Sequence, residues 1–131
     1  MREPSGEKRM KAFNHIAIIV RDERALDFYR DLGFREFERV NRQHDRIVRM
    51  EGVGIQLELY VDKKHPPRVT NPEALGLRHF SLDTDDIEKE YLRLAQYGPE
   101  PIRQDSQGLR FFFVKDRDGL PVEIREHKER T

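Results

Sequence analysis

The segment FNHIAIIV at residues 13–20 has a counterpart in LRHFSL at residues 77–82. Each places one histidine in a mostly apolar run of strand length, which predicts a β-strand with one buried face. The two histidines, His15 and His79, are 64 positions apart. The flanking residues keep nearly the same offset, which indicates an internal repeat that organises the whole chain.

A helix is predicted after each of these strands. Its apolar positions are Ala25, Phe28, Tyr29 and Leu32 in the first copy and Ile87, Tyr91 and Leu94 in the second. Asp22 precedes the first helix, and Asp85 and Asp86 precede the second, as suitable helix caps. Gly33 and Gly98 follow the two helices at positions where glycine commonly ends a helix.

Further strands are predicted after each helix. They are residues 46–50 and 54–61 in the first copy and 109–115 and 120–126 in the second, with a possible short strand near 35–40 and near 100–104. Asp118-Gly119 between two of these runs is a strong hairpin signal. The sequence therefore predicts a single domain, residues 11–131, made of module 11–62 and module 75–127. A proline-containing linker, 63–74, joins them, and residues 1–10 are expected to be a disordered or docked tail.

Four polar residues share one face of the predicted strands. Because successive strand residues point to opposite sides, the parity of each position decides its surroundings. One parity class is wholly apolar: Ile16, Ile18, Leu57, Leu59, Phe80, Leu82, Val122 and Ile124. The opposite class contains His15, Glu58, His79 and Glu123, so each copy supplies one imidazole and one carboxylate from equivalent strands.

Two imidazoles and two carboxylates on one half-buried face call for a counter-charge, which a divalent metal ion would supply. Zinc, nickel, cobalt, manganese and iron all accept such nitrogen and oxygen ligands. The alternative is an ordinary sheet edge, with histidines bonded to the backbone and glutamates paired with Arg49 and Arg125. Equivalent positions in both copies favour the metal site.

Composition narrows the functional classes. Charged residues make up 38% of the chain, with 25 basic and 25 acidic side chains, so a nucleic-acid partner is not expected. Cysteine is absent, which excludes disulfides and thiolate metal ligands. The chain has no apolar run of membrane-spanning length and begins with a polar segment, so we expect a cytoplasmic protein.

Several motifs resemble the vicinal oxygen chelate superfamily, which includes glyoxalase I, bleomycin and fosfomycin resistance proteins, methylmalonyl-CoA epimerase and extradiol dioxygenases. They are residues 15–18 (HIAI), 28–34 (FYRDLGF), 56–59 (QLEL), 76–80 (GLRHF) and 116–123 (DRDGLPVE). The chain is most similar to compact bacterial glyoxalase I-like proteins, often labelled lactoylglutathione lyases. The resemblance implies an α+β fold in which two βαβββ modules form a cupped mixed sheet, commonly in a homodimer.

The resemblance also implies a site and an activity. The glyoxalase I ligands correspond to His15, Glu58, His79 and Glu123, and either all four come from one chain or each pair meets the other pair across a dimer. The expected activity is that of a metal-dependent lyase or isomerase, acting on a small α-hydroxycarbonyl or hemithioacetal through a metal-bound enediolate. Glu123, or else Glu58, would be the base. The alternative is a metal-containing protein that binds a small molecule or confers resistance without turnover. A dioxygenase ranks below it, since Glu58 as a fourth ligand would occupy the coordination position on the metal that molecular oxygen needs.

Substrate contacts are less constrained by the sequence. Tyr60 and Arg125 share the parity of the ligands and are candidate substrate-binding residues, and Arg110, like Arg103, flanks a loop where it could hold an anionic tail. Glutathione-using relatives carry an arginine and an asparagine where this chain has Ile19 and Asp62. We therefore expect this protein to share the reaction class of those relatives more readily than their use of glutathione.

Overall fold

The computed structural model describes residues 9–127, and the predicted tail therefore lies almost entirely outside the described residues. The strands are β1 (Ile16–Val20), β2 (Arg35–Asn41), β3 (Arg46–Gly52), β4 (Ile55–Val61), β5 (Phe80–Thr84), β6 (Arg103–Gln104), β7 (Arg110–Lys115) and β8 (Pro121–Glu126). The helices are α1 (Ala25–Asp31) and α2 (Ile87–Arg93), and a 3-10 turn, Ala95–Tyr97, follows α2. The order βαβββ occurs twice, which confirms the predicted repeat and both short strands.

The strands form two four-stranded sheets with the same internal order. The first is β1-β4-β3-β2 and the second is β5-β8-β7-β6. In each sheet the first strand of the module pairs in parallel with the last, and the other pairs are antiparallel. A parallel pair needs a crossover connection, which α1 and α2 begin, and the result is the predicted mixed α+β architecture.

The apolar parity class faces the core, as predicted. Leu57 and Leu59 of β4 are fully buried, as is Val122 of β8, and Ile16 and Leu82 pack against them at the margin. One continuous buried cluster takes side chains from both modules. Among residues 9–127, no helix has the length and apolar character that crossing a membrane requires.

The helix ends follow the sequence signals with one correction. Asp86 caps α2, since its side chain accepts the backbone N–H of Lys89 at 3.1 Å. Asp22 does not cap α1, because the helix begins only at Ala25. The Asp22 carboxylate instead accepts the N–H of Arg24 at 3.0 Å and stabilises a turn that precedes the helix. Gly33 ends the α1 segment with φ +108°, a conformation that favours glycine.

The two modules meet through their helices and through the β7–β8 hairpin. The rings of Phe28 and Tyr97 pack edge to face, with centroids 5.0 Å apart. The Tyr29 hydroxyl donates to the carboxylate of Asp116 at 2.7 Å, and both residues are buried. Asp116 also accepts the backbone N–H groups of Asp118 and Leu120, so one carboxylate shapes the hairpin turn and fastens it to α1.

The predicted Asp118-Gly119 hairpin is confirmed, with Gly119 at φ +93°. Burial raises the pKa of the Asp116 carboxyl, and the hydrogen bonds from Tyr29 and the turn backbone oppose that effect. The hydroxyl of Tyr29 thus stabilises the ionised form of a buried acid at the junction between the modules.

Replacing Tyr29 with phenylalanine should lower the free energy of unfolding by about 1.5–3 kcal/mol at neutral pH, because a buried carboxylate loses a charge-assisted donor. The loss should shrink as the pH falls through the pKa of Asp116, since the protonated acid no longer needs that donor. Urea unfolding at neutral and acidic pH measures both effects. Tyr91→Phe is the matched control, because no hydrogen bond of its hydroxyl occurs within residues 9–127. Equal losses in the two variants would contradict the prediction.

Candidate metal site

The four predicted ligands occupy equivalent places in the two sheets. Glu58 on β4 faces Ala17 of β1, and Glu123 on β8 faces Ser81 of β5. His15 and His79 each precede that facing residue by two positions, so imidazole and carboxylate lie on the same side of their sheet. The side chains of Glu58 and Glu123 are 13% and 12% exposed, which makes both of them largely buried acids on the face opposite the helices.

The first pair has the spacing of two ligands of one ion. His15 Nε2 lies 3.3 Å from Glu58 Oε1. Two donors that are each about 2.0–2.2 Å from a metal, at angles typical of tetrahedral or octahedral sites, lie about 3.0–3.5 Å apart. His15 Nδ1 also lies 2.6 Å from the side-chain oxygen of Asn14, and this contact orients Nε2 toward the carboxylate. The donors present therefore fit a divalent ion.

Glu58 is firmly held in place. Arg49 Nε donates to Oε2 at 2.9 Å, and the hydroxyl of Tyr60 donates to Oε1 at 3.1 Å. Partial burial acts to raise the pKa of the Glu58 carboxyl, but these two hydrogen bonds and the nearby His15 outweigh it, and the net pKa is lowered. The hydrogen bond from Tyr60 to the carboxylate in turn raises the pKa of Tyr60. Glu58 is thus kept ionised, as a metal ligand must be.

The second pair has different neighbours. Glu123 Oε2 accepts from Arg125 Nη1 at 3.0 Å, and Arg125 also binds Asp105. The ring of His79 packs edge to face on Phe113, with centroids 4.9 Å apart. Phe113 faces Glu123 across the β7–β8 pair, where the first sheet has Arg49 facing Glu58. The cross-strand neighbour of the carboxylate is thus a cation in the first copy and an aromatic ring in the second, where the cation Arg125 comes from the same strand as Glu123.

One chain does not bring the four ligands together. Within the described residues, no three histidine, aspartate or glutamate side chains lie close enough to hold one metal ion. His15 and Glu58 belong to the first sheet, while His79 and Glu123 belong to the second. The four predicted ligands therefore form two separate pairs in one chain, each of which is a candidate half-site.

The candidate substrate contacts separate into two groups. Tyr60 and Arg125 lie beside the glutamates, as their parity predicts. Arg110 does not, because it neighbours Phe111 on β7 and so points to the helix side of the sheet. There it pairs with Glu88 of α2 at 2.7 Å and with Glu126 at 3.1 Å. Arg110 therefore lies on the side of the sheet opposite the predicted ligands, which contradicts the expectation that it contacts the substrate.

Sequence reasoning missed three neighbours of the ligands. They are Asn14 beside His15, Phe113 beside His79, and Asp105 beside Arg125. The alternation of side chains along the β7–β8 hairpin could have predicted Phe113, because the hairpin register places it opposite Glu123. Asp105 lies in the loop before β7, and no periodicity predicts where a loop carboxylate points.

Apolar side chains are left uncovered near the ligands. Phe13 is 70% exposed, Ile19 is 52% exposed and Leu77 is 55% exposed, and all three share the parity of the histidines. Exposed apolar residues grouped around polar ones are typical of surfaces that contact another molecule. The face that carries the ligands is therefore open in one chain.

The sequence of this chain matches a known protein family and two bacterial proteins. A family model described as the Glyoxalase/Bleomycin resistance protein/Dioxygenase superfamily matches residues 12–124. The chain is 35% identical over 125 residues to the uncharacterized protein YwkD of Bacillus subtilis (strain 168), a match covering 89% of this chain and 98% of YwkD. It is 36% identical over 126 residues to the uncharacterized protein YaeR of Escherichia coli (strain K12), covering 89% and 97%.

A solved structure agrees with these matches. The crystal structure of the glyoxalase family protein from Enterococcus faecalis superposes with a TM-score of 0.80 at 32% identity. That superposition covers 88% of this chain and 98% of the other. The resemblance drawn from the sequence is confirmed. The protein belongs to the glyoxalase, bleomycin resistance protein and dioxygenase superfamily.

Proposed function

We propose that this protein is a metal-dependent lyase or isomerase of the glyoxalase I type, which moves a proton between adjacent carbons of a small α-hydroxycarbonyl or hemithioacetal. The observation that carries the proposal is the 3.3 Å contact between His15 Nε2 and Glu58 Oε1. His79 and Glu123 occupy the equivalent positions in the register of the second sheet. Membership of a superfamily that contains such enzymes supports it. The ligand set accepts zinc, nickel, cobalt, manganese or iron and does not select among them.

The site is completed by a second copy of the chain in this proposal. His15 and Glu58 of one protomer meet the partner subunit's His79 and Glu123, and the same contacts are repeated across the twofold axis. Two observations support this homodimer. No three-ligand cluster forms within residues 9–127 of one chain, and the face around the ligands exposes Phe13, Ile19 and Leu77.

The two glutamates take different roles. The ion would act as a Lewis acid toward two adjacent substrate oxygens. Glu58 is held by Arg49, Tyr60 and His15, which suits a permanent ligand. Within residues 9–127, Glu123 accepts a hydrogen bond from Arg125 alone, and Arg125 also binds Asp105, so the Glu123 carboxylate is the freer of the two. Glu123 therefore takes the proton from one carbon and returns it to the next.

Glutathione is not the thiol we propose. Ile19 and Asp62 stand where glutathione-using relatives place an arginine and an asparagine, and neither side chain can donate to a carboxylate as those residues do. The substrate is accordingly expected to carry a smaller group than a tripeptide. A sequestering protein that binds an intact small molecule is the second candidate, favoured by the open apolar surface beside the ligands.

Metal content measured by mass spectrometry tests the ligand set. The purified protein, after reconstitution with a divalent metal, should hold about one ion per chain, and His15→Ala and Glu123→Ala should each lose it, because each removes one of four ligands. His44→Ala is the control, since His44 is an exposed residue outside the ligand pattern. If the wild-type protein binds none of the five metals after reconstitution, the proposed enzyme is refuted.

Mixing two metal-free variants tests whether the site is shared. A heterodimer of His15→Ala and Glu123→Ala chains would combine both defects in one shared site and leave the other intact. After joint refolding, about a quarter of the wild-type metal content should return, since about half of random dimers are heterodimers. His15→Ala mixed with Glu58→Ala should recover none, because both defects lie in the same half-site. Recovery in neither mixture would place all four ligands in one chain.

Turnover is tested with methylglyoxal and a panel of small thiols, following thioester formation. The metal-loaded protein should convert at least one hemithioacetal, and Glu123→Gln should lower kcat by about 100-fold or more while keeping its metal, as loss of a general base requires. Gln56→Glu is a control, because it adds a carboxylate to β4 without changing a ligand. Tight binding of substrate without product would instead establish the sequestering protein.

A further inference from the structure

A small cavity opens on the ligand face of the second sheet. Its volume is about 260 Å³, and its wall includes His79, Phe113 and Pro121. Arg103 and Lys115 line it from the same sheet, and Arg68 lines it from the linker. Because His79 is one of the proposed metal ligands, a molecule bound to the ion has this cavity beside it.

The charges around the cavity do not balance. Its cationic side chains are Arg68, Arg78, Arg103 and Lys115, and its carboxylates are Glu73 and Glu100. Arg78 pairs with Glu73 at 3.0 Å, and Arg68 Nη2 donates to the backbone carbonyls of Leu77 and Arg78. Within residues 9–127, neither Arg103 nor Lys115 makes an ion pair with a carboxylate. The cavity therefore keeps excess positive charge.

Arg103 is held by aromatic rings. Its Cζ lies 5.2 Å from the ring centroid of Phe111 and 6.0 Å from that of Phe113. A cation–π contact satisfies the charge of a guanidinium against a ring without using its N–H groups as hydrogen-bond donors, and those N–H groups match the two oxygens of a carboxylate or phosphate. Phe113 also packs on His79, so a single ring separates the guanidinium from a proposed metal ligand.

Other arginines on the ligand face are already engaged. Arg49 binds Glu38 and Glu58, and Arg125 binds Glu123 and Asp105. Arg103 differs in that, within residues 9–127, its side chain contacts aromatic rings and donates no hydrogen bond. An arginine with such donors beside a small cavity is suited to bind one end of a small anion.

We propose that Arg103, beside the rings of Phe111 and Phe113, is a specificity-determining residue that binds an anionic group of the substrate, a carboxylate or a phosphate ester, while the reacting oxygens lie at His79. The inference rests on the proposed function, because it specifies the substrate of the same site. The substrate class is then a small α-hydroxycarbonyl or hemithioacetal with an acidic tail a few atoms from the reacting carbons. Lys115 adds positive charge to the same cavity.

Calorimetric binding to the zinc-loaded protein tests this without requiring turnover. Propionohydroxamic acid presents two adjacent oxygens to a metal, succinic monohydroxamic acid adds a carboxylate to it, and 3-phosphonopropionohydroxamic acid adds a phosphonate instead. At least one anionic probe should bind about tenfold tighter than the neutral one, as expected for one charge-assisted contact. Whichever anionic probe binds more tightly distinguishes a carboxylate tail from a phosphate tail.

Arg103→Met should remove that preference and leave the affinity of the neutral probe unchanged. Lys89→Met is the matched control, since it removes one positive charge from the exposed side of α2 and should keep the preference. Equal affinities in the wild type, or a preference that survives in Arg103→Met, would overturn the anion site while leaving the metal proposal intact. Failure of all three probes to bind would overturn the metal proposal and this inference with it.

Discussion

The parallel pairing of the first and last strands of each module is the constraint on which the rest of the structure depends. It requires a crossover, which α1 and α2 begin, and it fixes the faces of both strands at once. Once Leu57 and Leu59 are buried in the core, Glu58 must point to the opposite side of the sheet. The same register places His15 beside it. The geometry of each half-site is therefore set by the packing of the core.

The charged neighbours of Glu58 and Glu123 differ, although the strand geometry around the two residues is the same. The chain has equal numbers of acidic and basic side chains, and most arginines on the sheets are tied to a carboxylate within a few ångströms. Arg49 and Tyr60 lower the pKa of Glu58 despite its burial. Glu123 has Phe113 where Glu58 has Arg49, and its cationic partner is Arg125 of its own strand. Such contrasts between paired acids commonly accompany different chemical roles.

The sequence predicted the elements and the faces better than the packing between modules. The offset between His15 and His79, followed by similarly spaced aspartates and glycines, located both copies and the strands that carry Glu58 and Glu123, while the full βαβββ order of each copy was implied by the family resemblance. Periodicity does not encode how two modules dock. The contact between Tyr29 and Asp116 joins residues 87 positions apart and depends on the geometry of the α1 surface against a hairpin turn. The Arg110 expectation was wrong for a simpler reason, since its parity on β7 assigns it to the helix side.

The different residues opposite the two glutamates also bear on stereochemistry. A site built from two identical halves would accept a chiral molecule equally well in two orientations related by the pseudo-twofold axis. Arg49 faces Glu58 and Phe113 faces Glu123, so these two orientations have unequal energies. In the proposed shared site, a bound molecule would present one face of its reacting carbon to Glu123 and turn the other away. The divergence of two cross-strand neighbours would thus give a nearly symmetric scaffold one preferred binding orientation.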